Sequence, residues 1–149
     1  MSTPPARTTY LIKRVERGVK SLLDEQLRGL GITTNQYTAL SVLRARPGIS
    51  SAELARRSFV SAQAMNQVIA GLEHSGLIRR EPDPKHQKIL RTYLTPAGDE
   101  LLEKCDQFID RAEAGLLRDL TPGQIATFNE FLTSCVDALN QMHHEGQPG

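Results

Sequence analysis

The sequence predicts a mainly α-helical protein that carries one small β-hairpin. Two observations support this prediction. Apolar residues recur at helical spacing through most of the 149 residues. The exception is a pair of short segments, 77–81 and 89–94, which flank a loop containing two prolines and are predicted to be the strands of a hairpin. A chain of this length fits a single domain, 1–149, that buries its core without disulfides.

Charge is distributed unevenly along the chain. Residues 44–94 hold nine basic and four acidic side chains, a net of +5, whereas residues 95–149 hold three basic and ten acidic ones, a net of −7. This asymmetry predicts that the middle of the chain faces a polyanion, although chance variation among solvated surfaces is the alternative. No apolar run is long enough for a membrane span, and the first residues lack the apolar region of a secretion signal.

The first two helices precede the basic segment. The first is expected over Thr8–Arg28, where apolar residues follow helical spacing up to the glycines at 29 and 31. The second follows in TTNQYTALSVLRA, with Thr33 or Thr34 as its cap. Pro47 and Gly48 end it.

Two shorter helices then follow around a tight turn. Ser50 opens the first of them, and SSAE can form a capping box there. RSFVS is the turn, and Ser61 is placed to cap the second helix. One face of that second helix is apolar and is predicted to be buried. It carries Met65, Val68, Ile69 and Leu72. The opposite face carries the amides Gln63, Asn66 and Gln67.

Two long helices complete the chain after the hairpin. Thr95 caps the first of them, and Pro96 suits its first turn. TPGQ at 121–124 is a second capping box and begins the last helix. Both helices carry an apolar stripe longer than a small domain needs, so the stripes serve either an intramolecular core or a partner chain.

The order helix, helix, turn, helix, hairpin over residues 33–95 is that of a winged helix-turn-helix domain. In such a domain the amide-faced helix is the recognition helix, whose width suits the major groove of B-DNA. An amide both donates and accepts, so it pairs bidentately with adenine. The predicted base contacts are Ser61, Gln63, Asn66 and Gln67. The alternative is that these are ordinary amides on a solvated surface.

The hairpin is strongly basic. A basic two-stranded ribbon can enter a narrow minor groove, which attracts cations. The predicted wing contacts are Arg79, Arg80, Lys85, His86, Lys88 and Arg91. The alternative is a solvated loop.

The stretch ELARRSFVSAQAMNQVIAGLEHSGLIRREPDPKHQKILRTYLTPAG resembles the winged helix of the MarR family of transcription regulators, through LA, LE..GLI.R and LT..G at the family's spacing. The resemblance implies a homodimer that binds a pseudo-palindromic operator, with dimerisation helices at 8–30 and 96–143. The interface residues expected from it are Leu11, Val15, Phe108, Leu116, Ile125, Phe128, Leu132, Val136 and Leu139.

Three positions depart from the expected pattern. Many members of the family have Asp-x-Arg in the wing, where this chain has His86 and Lys88. Lys88 keeps the charge but not the guanidinium fork, so minor-groove reading is expected to weaken or to shift to Arg91. Phe59 stands in the turn, where helix-turn-helix units often have glycine.

The resemblance also implies a repressor that a small aromatic acid releases from DNA. Candidate residues for the acid are Arg14 and Arg17, whose guanidinium groups suit a carboxylate, and Tyr37, whose phenol offers a hydrogen bond. The alternative is that these are plain surface arginines and a core tyrosine.

Three other functions are alternatives to DNA binding. A winged helix can bind protein instead of DNA. A cysteine- or metal-responsive regulator is disfavoured, because Cys105 and Cys135 lie on apolar stripes as reduced, buried thiols of a cytoplasmic protein, and no metal-ligand spacing occurs. The sequence has no phosphate loop, nucleophile elbow or paired carboxylates, so an enzyme is not expected, nor is a cofactor.

Overall fold

The computed structural model describes residues 4–146. The predicted fold class is confirmed: the described chain is mostly helical with one small antiparallel sheet. Its elements are α1 Thr8–Arg28, α2 Thr34–Ala45, β1 Ile49–Ser50, α3 Ser51–Arg57, α4 Ala62–His74, β2 Ile78–Pro82, β3 Leu90–Leu94, α5 Pro96–Leu116 and α6 Pro122–Glu145. None of these helices combines the length and the apolar character that crossing a membrane requires.

The sheet has three strands instead of the predicted two. β2 and β3 form the expected hairpin, and β1 pairs with β3 on its other side. β2 is displaced by one residue from the prediction, and β3 begins one residue later than predicted and ends at Leu94 as predicted. Ile49 faces Thr92 across this additional pair. The prediction missed β1 because a strand of two residues is too short to show the alternation that identifies strands.

Side-chain caps begin five of the helices, α2 to α6, and Thr95 caps α5 as predicted. Thr33 and Gln36 form a complete capping box at α2, and Thr121 forms one with Gln124 at α6. The box predicted at α3 is only half formed. Ser50 Oγ accepts from the backbone of Glu53, but the Glu53 carboxylate binds two arginines of its own helix instead of returning to Ser50.

The core collects apolar side chains from α1 to α5. Leu27, Leu40, Leu54, Met65 and Leu102 are fully buried in it. Cys105 is buried there as predicted, and burial raises the pKa of its thiol. The prediction was wrong for Cys135, which is exposed on α6.

The chain divides into two compact units, Met1–Ala112 and Glu113–Gly149. The first contains α1 to α4, the sheet and most of α5. The second contains the end of α5 and the whole of α6. No residue of α6 is buried.

Candidate nucleic-acid interface

Helix α4 presents an uncharged polar face to solvent. Ser61 Oγ accepts from the backbone N–H of Ala64 at 3.1 Å and so begins the helix where the sequence predicted. Gln63, Asn66 and Gln67 are all exposed. They share one face because positions three and four apart lie side by side on a helix. The structure therefore brings the predicted base-reading amides together.

The orientation of α4 is fixed by what its other face buries. Met65, Ile69 and Leu72 recur at positions i, i+4 and i+7 and are at most 1% exposed. Rotating the helix would expose these side chains to water, which costs free energy. The amide face is therefore held toward solvent. The first carboxylate of α4 is Glu73, near its end.

The basic residues of the wing fall into two groups, and the first group is already paired. Arg79 lies over the ring of Tyr93, with 4.6 Å between the guanidinium carbon and the ring centroid, and also pairs with Glu81. Arg80 donates twice to the carboxylate of Glu73, which holds the pKa of that carboxyl below its usual value. These two arginines therefore connect the wing to its own surroundings.

The second group lies at the tip of the wing, in the turn between β2 and β3. Lys85, His86 and Lys88 are exposed there. Within residues 4–146, no carboxylate lies within 4.0 Å of the charged nitrogens of Lys85 or Lys88. Their charges are therefore available to an external anion.

Asp83 organises the wing tip, and the sequence analysis did not single it out. Only 5% of Asp83 is exposed. One carboxylate oxygen accepts from the backbone N–H of Lys85 at 2.7 Å, and the other accepts from Arg91 Nε at 2.6 Å. The Lys85 N–H, followed by the Arg91 guanidinium, lowers the pKa of Asp83. An Asp directly before Pro84 was a signal for this turn.

Arg91 lies on β3, opposite Glu81 and close to the turn, but outside the turn itself. Besides Asp83, its guanidinium contacts the backbone carbonyl of Gly48 at 2.8 Å, beside β1. The guanidinium fork that the family pattern leads us to expect at position 88 is thus present at position 91, where it binds the protein. A contact between Arg91 and DNA stays a prediction.

The three candidate effector residues are not gathered at one site. Arg14 lies 5.9 Å from the ring centroid of Tyr10, and Arg17 lines a surface cleft along α1. Tyr37 donates to Asp106 at 2.8 Å, while the other oxygen of Asp106 accepts from Arg44 at 2.6 Å. Burial, together with this hydrogen bond to Asp106, raises the pKa of Tyr37 to about 12.

A cavity of about 440 Å³ lies between α1 and the start of α2. This volume is in the range of small-molecule sites. Its lining includes Lys20 and Asp24, which pair at 2.9 Å, and it includes none of the three candidate effector residues. The full lining is Glu16, Val19, Lys20, Leu23, Asp24, Thr33, Thr34 and Asn35.

None of the nine residues predicted for a dimer interface is buried in the described chain. On α1, Leu11 is 47% exposed and Val15 is 49% exposed. On α6, Leu139 is 54% exposed. Phe108 and Ile125 are half-buried, and the remaining four are exposed: Leu116, Phe128, Leu132 and Val136.

Within residues 4–146, no group of three or more His, Cys, Asp or Glu side chains is arranged to hold a metal ion.

A tight turn, an exposed polar helix and a basic wing define the class of this protein, which is a winged helix-turn-helix regulator of transcription. The MarR family model matches residues 30–89. The HTH-type transcriptional repressor Rv2887 of Mycobacterium tuberculosis is 34% identical over 123 residues, which are 83% of this chain and 88% of that relative. The chain belongs to the MarR family.

Further relatives agree with this assignment. Multiple antibiotic resistance protein MarR of Escherichia coli is 28% identical over 123 residues, 82% of this chain and 85% of that protein. The crystal structure of Rv2887 with salicylic acid has a TM-score of 0.73 at 32% identity and covers 89% of this chain and 98% of its own. A mutant MarR from E. coli complexed with operator DNA has a TM-score of 0.76 at 27% identity, and it covers 85% of this chain and 91% of its own.

Proposed function

We propose that this chain is a transcriptional repressor that binds a pseudo-palindromic operator as a homodimer and is released by a small aromatic acid. The observation that carries the proposal is the exposed face of α4, on which Ser61, Gln63, Asn66 and Gln67 stand together without a charge. A charged face binds phosphates at any sequence, whereas amides distinguish bases.

In this proposal the wing supplies affinity and α4 supplies specificity. Lys85 and Lys88 contact phosphates or the minor groove, because no carboxylate of the described chain neutralises them. Arg79, Arg80 and Arg91 mainly set the position of the wing through their own partners. A DNA contact by the exposed parts of these arginines or by His86 belongs to the same proposal.

Dimerisation explains the exposed apolar residues of α1 and α6. One recognition helix reads only a few base pairs, whereas two helices related by a two-fold axis read a palindrome. A homodimer would cover the apolar face of α6, of which no residue is buried in one chain. The Rv2887 and E. coli relatives are described as repressors or as bound to operator DNA, which supports the same mode of action here.

The first experiment selects an operator from random-sequence DNA and measures its affinity across a salt series. We expect steep salt dependence, because phosphate contacts release counterions. Gln67→Ala should weaken operator binding by about 1–3 kcal/mol and leave non-specific binding unchanged, whereas Lys88→Ala should weaken binding to all sequences and reduce the salt slope by about one unit.

Matched controls are Gln107→Ala and Lys104→Ala, which remove the same side chains from exposed positions of α5. Both should leave operator binding unchanged. An equal loss of specific and non-specific binding in Gln67→Ala would remove Gln67 from the base readers. If the wild-type chain binds no DNA, the winged helix serves a protein partner and the proposal is wrong.

The effector is tested with a panel of salicylate-like acids. Crystal structures of Rv2887 contain salicylic acid and p-aminosalicylic acid, which supports this choice of compounds. We expect one or more acids to raise the melting temperature and to lower operator affinity, since a ligand shifts an equilibrium by its preference for one state. Arg14→Ala, Arg17→Ala and Tyr37→Phe then locate the site. If no acid changes the melting temperature or the operator affinity, the proposal of an aromatic-acid effector is wrong.

A further inference from the structure

Phe59 has a left-handed backbone conformation, which is unusual for a residue other than glycine. Its φ is 57°, and within residues 4–146 it is the one non-glycine residue with a positive φ. The turn is a helix C-terminal motif, because Val60 N–H donates to Ala55 and Phe59 N–H donates to Arg56. This position of the motif is usually glycine, since a side chain there crowds the backbone.

The ring of Phe59 gains nothing from the rest of the chain. It is 84% exposed, the highest value among the exposed large apolar side chains of the described residues. A large aromatic side chain normally contributes to stability by being buried. Glycine at position 59 would relieve the backbone and would lose little packing. The ring is therefore unfavourable to the free protein on two counts, which points to a contact outside the chain.

The position of Phe59 identifies that contact. The residue stands two positions before Ser61, the cap of α4. In a helix-turn-helix the first residues of the recognition helix contact base edges, so the turn that precedes them lies at the edge of the major groove. Each thymine presents its 5-methyl group in this groove, and phenylalanine is among the side chains that contact it.

We propose that Phe59 is a specificity-determining residue that packs its ring against a thymine methyl group in each half of the operator. This inference rests on the proposed DNA-binding function and extends it. The amides of α4 read hydrogen-bonding groups, and Phe59 adds an apolar contact that no amide can make. The strain in the turn is then a cost that the free protein bears and that DNA binding offsets.

The experiment compares three variants at this position. Phe59→Gly and Phe59→Asn both suit a positive φ and both remove the ring, whereas Phe59→Leu keeps an apolar side chain and the strain. Each protein is measured for melting temperature and for affinity to the selected operator. The operator is also prepared with each thymine replaced in turn by uracil, which lacks only the methyl group.

We expect Phe59→Gly and Phe59→Asn to melt about 2–4 °C higher than the wild type, because the strain is relieved. Both should bind the operator about tenfold more weakly, with non-specific binding and the salt slope unchanged, since the ring carries no charge. Uracil at one symmetric pair of positions should lower the operator affinity of the wild type and of Phe59→Leu by about fourfold per methyl group. The affinity of Phe59→Gly should not change.

Failure of this inference differs from failure of the proposed function. A wild-type chain without a preferred DNA sequence would refute both. If the wild type binds its operator but Phe59→Gly and Phe59→Asn bind equally well, Phe59 makes no contact with DNA. If no uracil position distinguishes the wild type from Phe59→Gly, the ring does not contact a thymine methyl group. A lower melting temperature in both variants would refute the strain argument.

Discussion

Asp83 shows how a single carboxylate shapes the wing. Its two oxygens hold the backbone of the tip loop and the guanidinium of Arg91, and Arg91 in turn holds the carbonyl of Gly48. Asp83 is buried and Arg91 is partly exposed, so removing the guanidinium would leave a buried carboxylate without its charged partner. Asp83 thereby holds the backbone of Lys85 and His86 in the turn at the wing tip.

Replacing Asp83 should change how the wing responds to pH. The pKa of Asp83 is lowered in the folded state. Its stabilising contribution is therefore complete above the ordinary carboxyl pKa, near 4, and is lost as the pH falls below that value through the folded-state pKa. We expect the Arg91 Nε–H resonance in the NMR spectrum of the wild type to shift in this acid range.

In Asp83→Asn the same resonance should not titrate, and the wing amides should exchange faster at every pH. Asp110→Asn is the matched control, because Asp110 is exposed on α5. It should leave the Arg91 titration as in the wild type. An Arg91 signal that titrates equally in Asp83→Asn would show that another group holds the guanidinium.

At the scale of elements, the start of α5 is joined closely to the base of the wing. Thr95 Oγ1 accepts from the N–H of Gly98 at 3.1 Å and donates to the carbonyl of Gly76 at 2.6 Å. Gly98 is buried against the carbonyl of Leu77, directly before β2. The hairpin and the first turn of α5 thus share hydrogen bonds and backbone contact.

Gly98→Ala should separate these two elements. A Cβ atom at position 98 would lie 2.0 Å from the carbonyl oxygen of Leu77, so the backbone must move. We expect a loss of about 1–3 kcal/mol in the free energy of unfolding. Operator affinity should fall as well, because the wing is displaced. Denaturant unfolding and gel-shift assays measure the two effects.

Gly115→Ala is the control within the same helix. Nothing lies within 4 Å of a Cβ atom built at Gly115, so alanine should be neutral or slightly stabilising there through its higher helix propensity. Equal stability of Gly98→Ala and Gly115→Ala would show that α5 and the hairpin adjust without cost.

At the scale of the whole molecule, the proposed dimer explains why a single chain leaves apolar residues exposed. The apolar residues of α1 and α6 are uncovered, and residues 95–149 carry a net charge of −7, which disfavours contact between this part and DNA. The net charge of +5 falls on residues 44–94, which contain α4 and the wing. The segment proposed to bind DNA is therefore basic, and the segment 95–149, which contains α5 and α6, is acidic.

Truncation at Leu120 should abolish the dimer. An obligate interface commonly buries about 2,000 Å² or more, and α6 would contribute much of it. We expect monomer, aggregate or unfolded chain in light scattering. Any folded product should lose its preference for a full operator over a half-site, since two half-sites need two linked recognition helices.

A full-length variant tests the same prediction with less disruption. Leu139→Lys places a charge on the apolar face of α6 and should weaken the dimer, because burying an unpaired charge is costly. Asn140→Lys adds the same charge at a neighbouring exposed polar position and should be tolerated. A truncated chain that stays a soluble dimer and prefers the full site would contradict the prediction.

The helices were predictable because caps and apolar spacing are local signals. Thr33, Ser61 and Thr121 begin the helices that their sequence contexts indicated. The two-residue strand β1 and the hydrogen bond from Arg91 to the Gly48 carbonyl were not predictable, because they join residues distant in the chain that the fold brings together. The exposure of Cys135 was missed because spacing identifies an apolar face without telling what covers it.

The close join between α5 and the wing has a mechanical consequence. The part of α5 from Pro96 to Ala112 is a lever about 25 Å long, because a helix rises about 1.5 Å per residue. A tilt of about 10° around Ala112 swings the wing end of this lever by about 4 Å, which exceeds the spacing of about 3.4 Å between successive base pairs. In the proposed complex, a slight tilt far from the operator would therefore move the wing out of register with the base pairs.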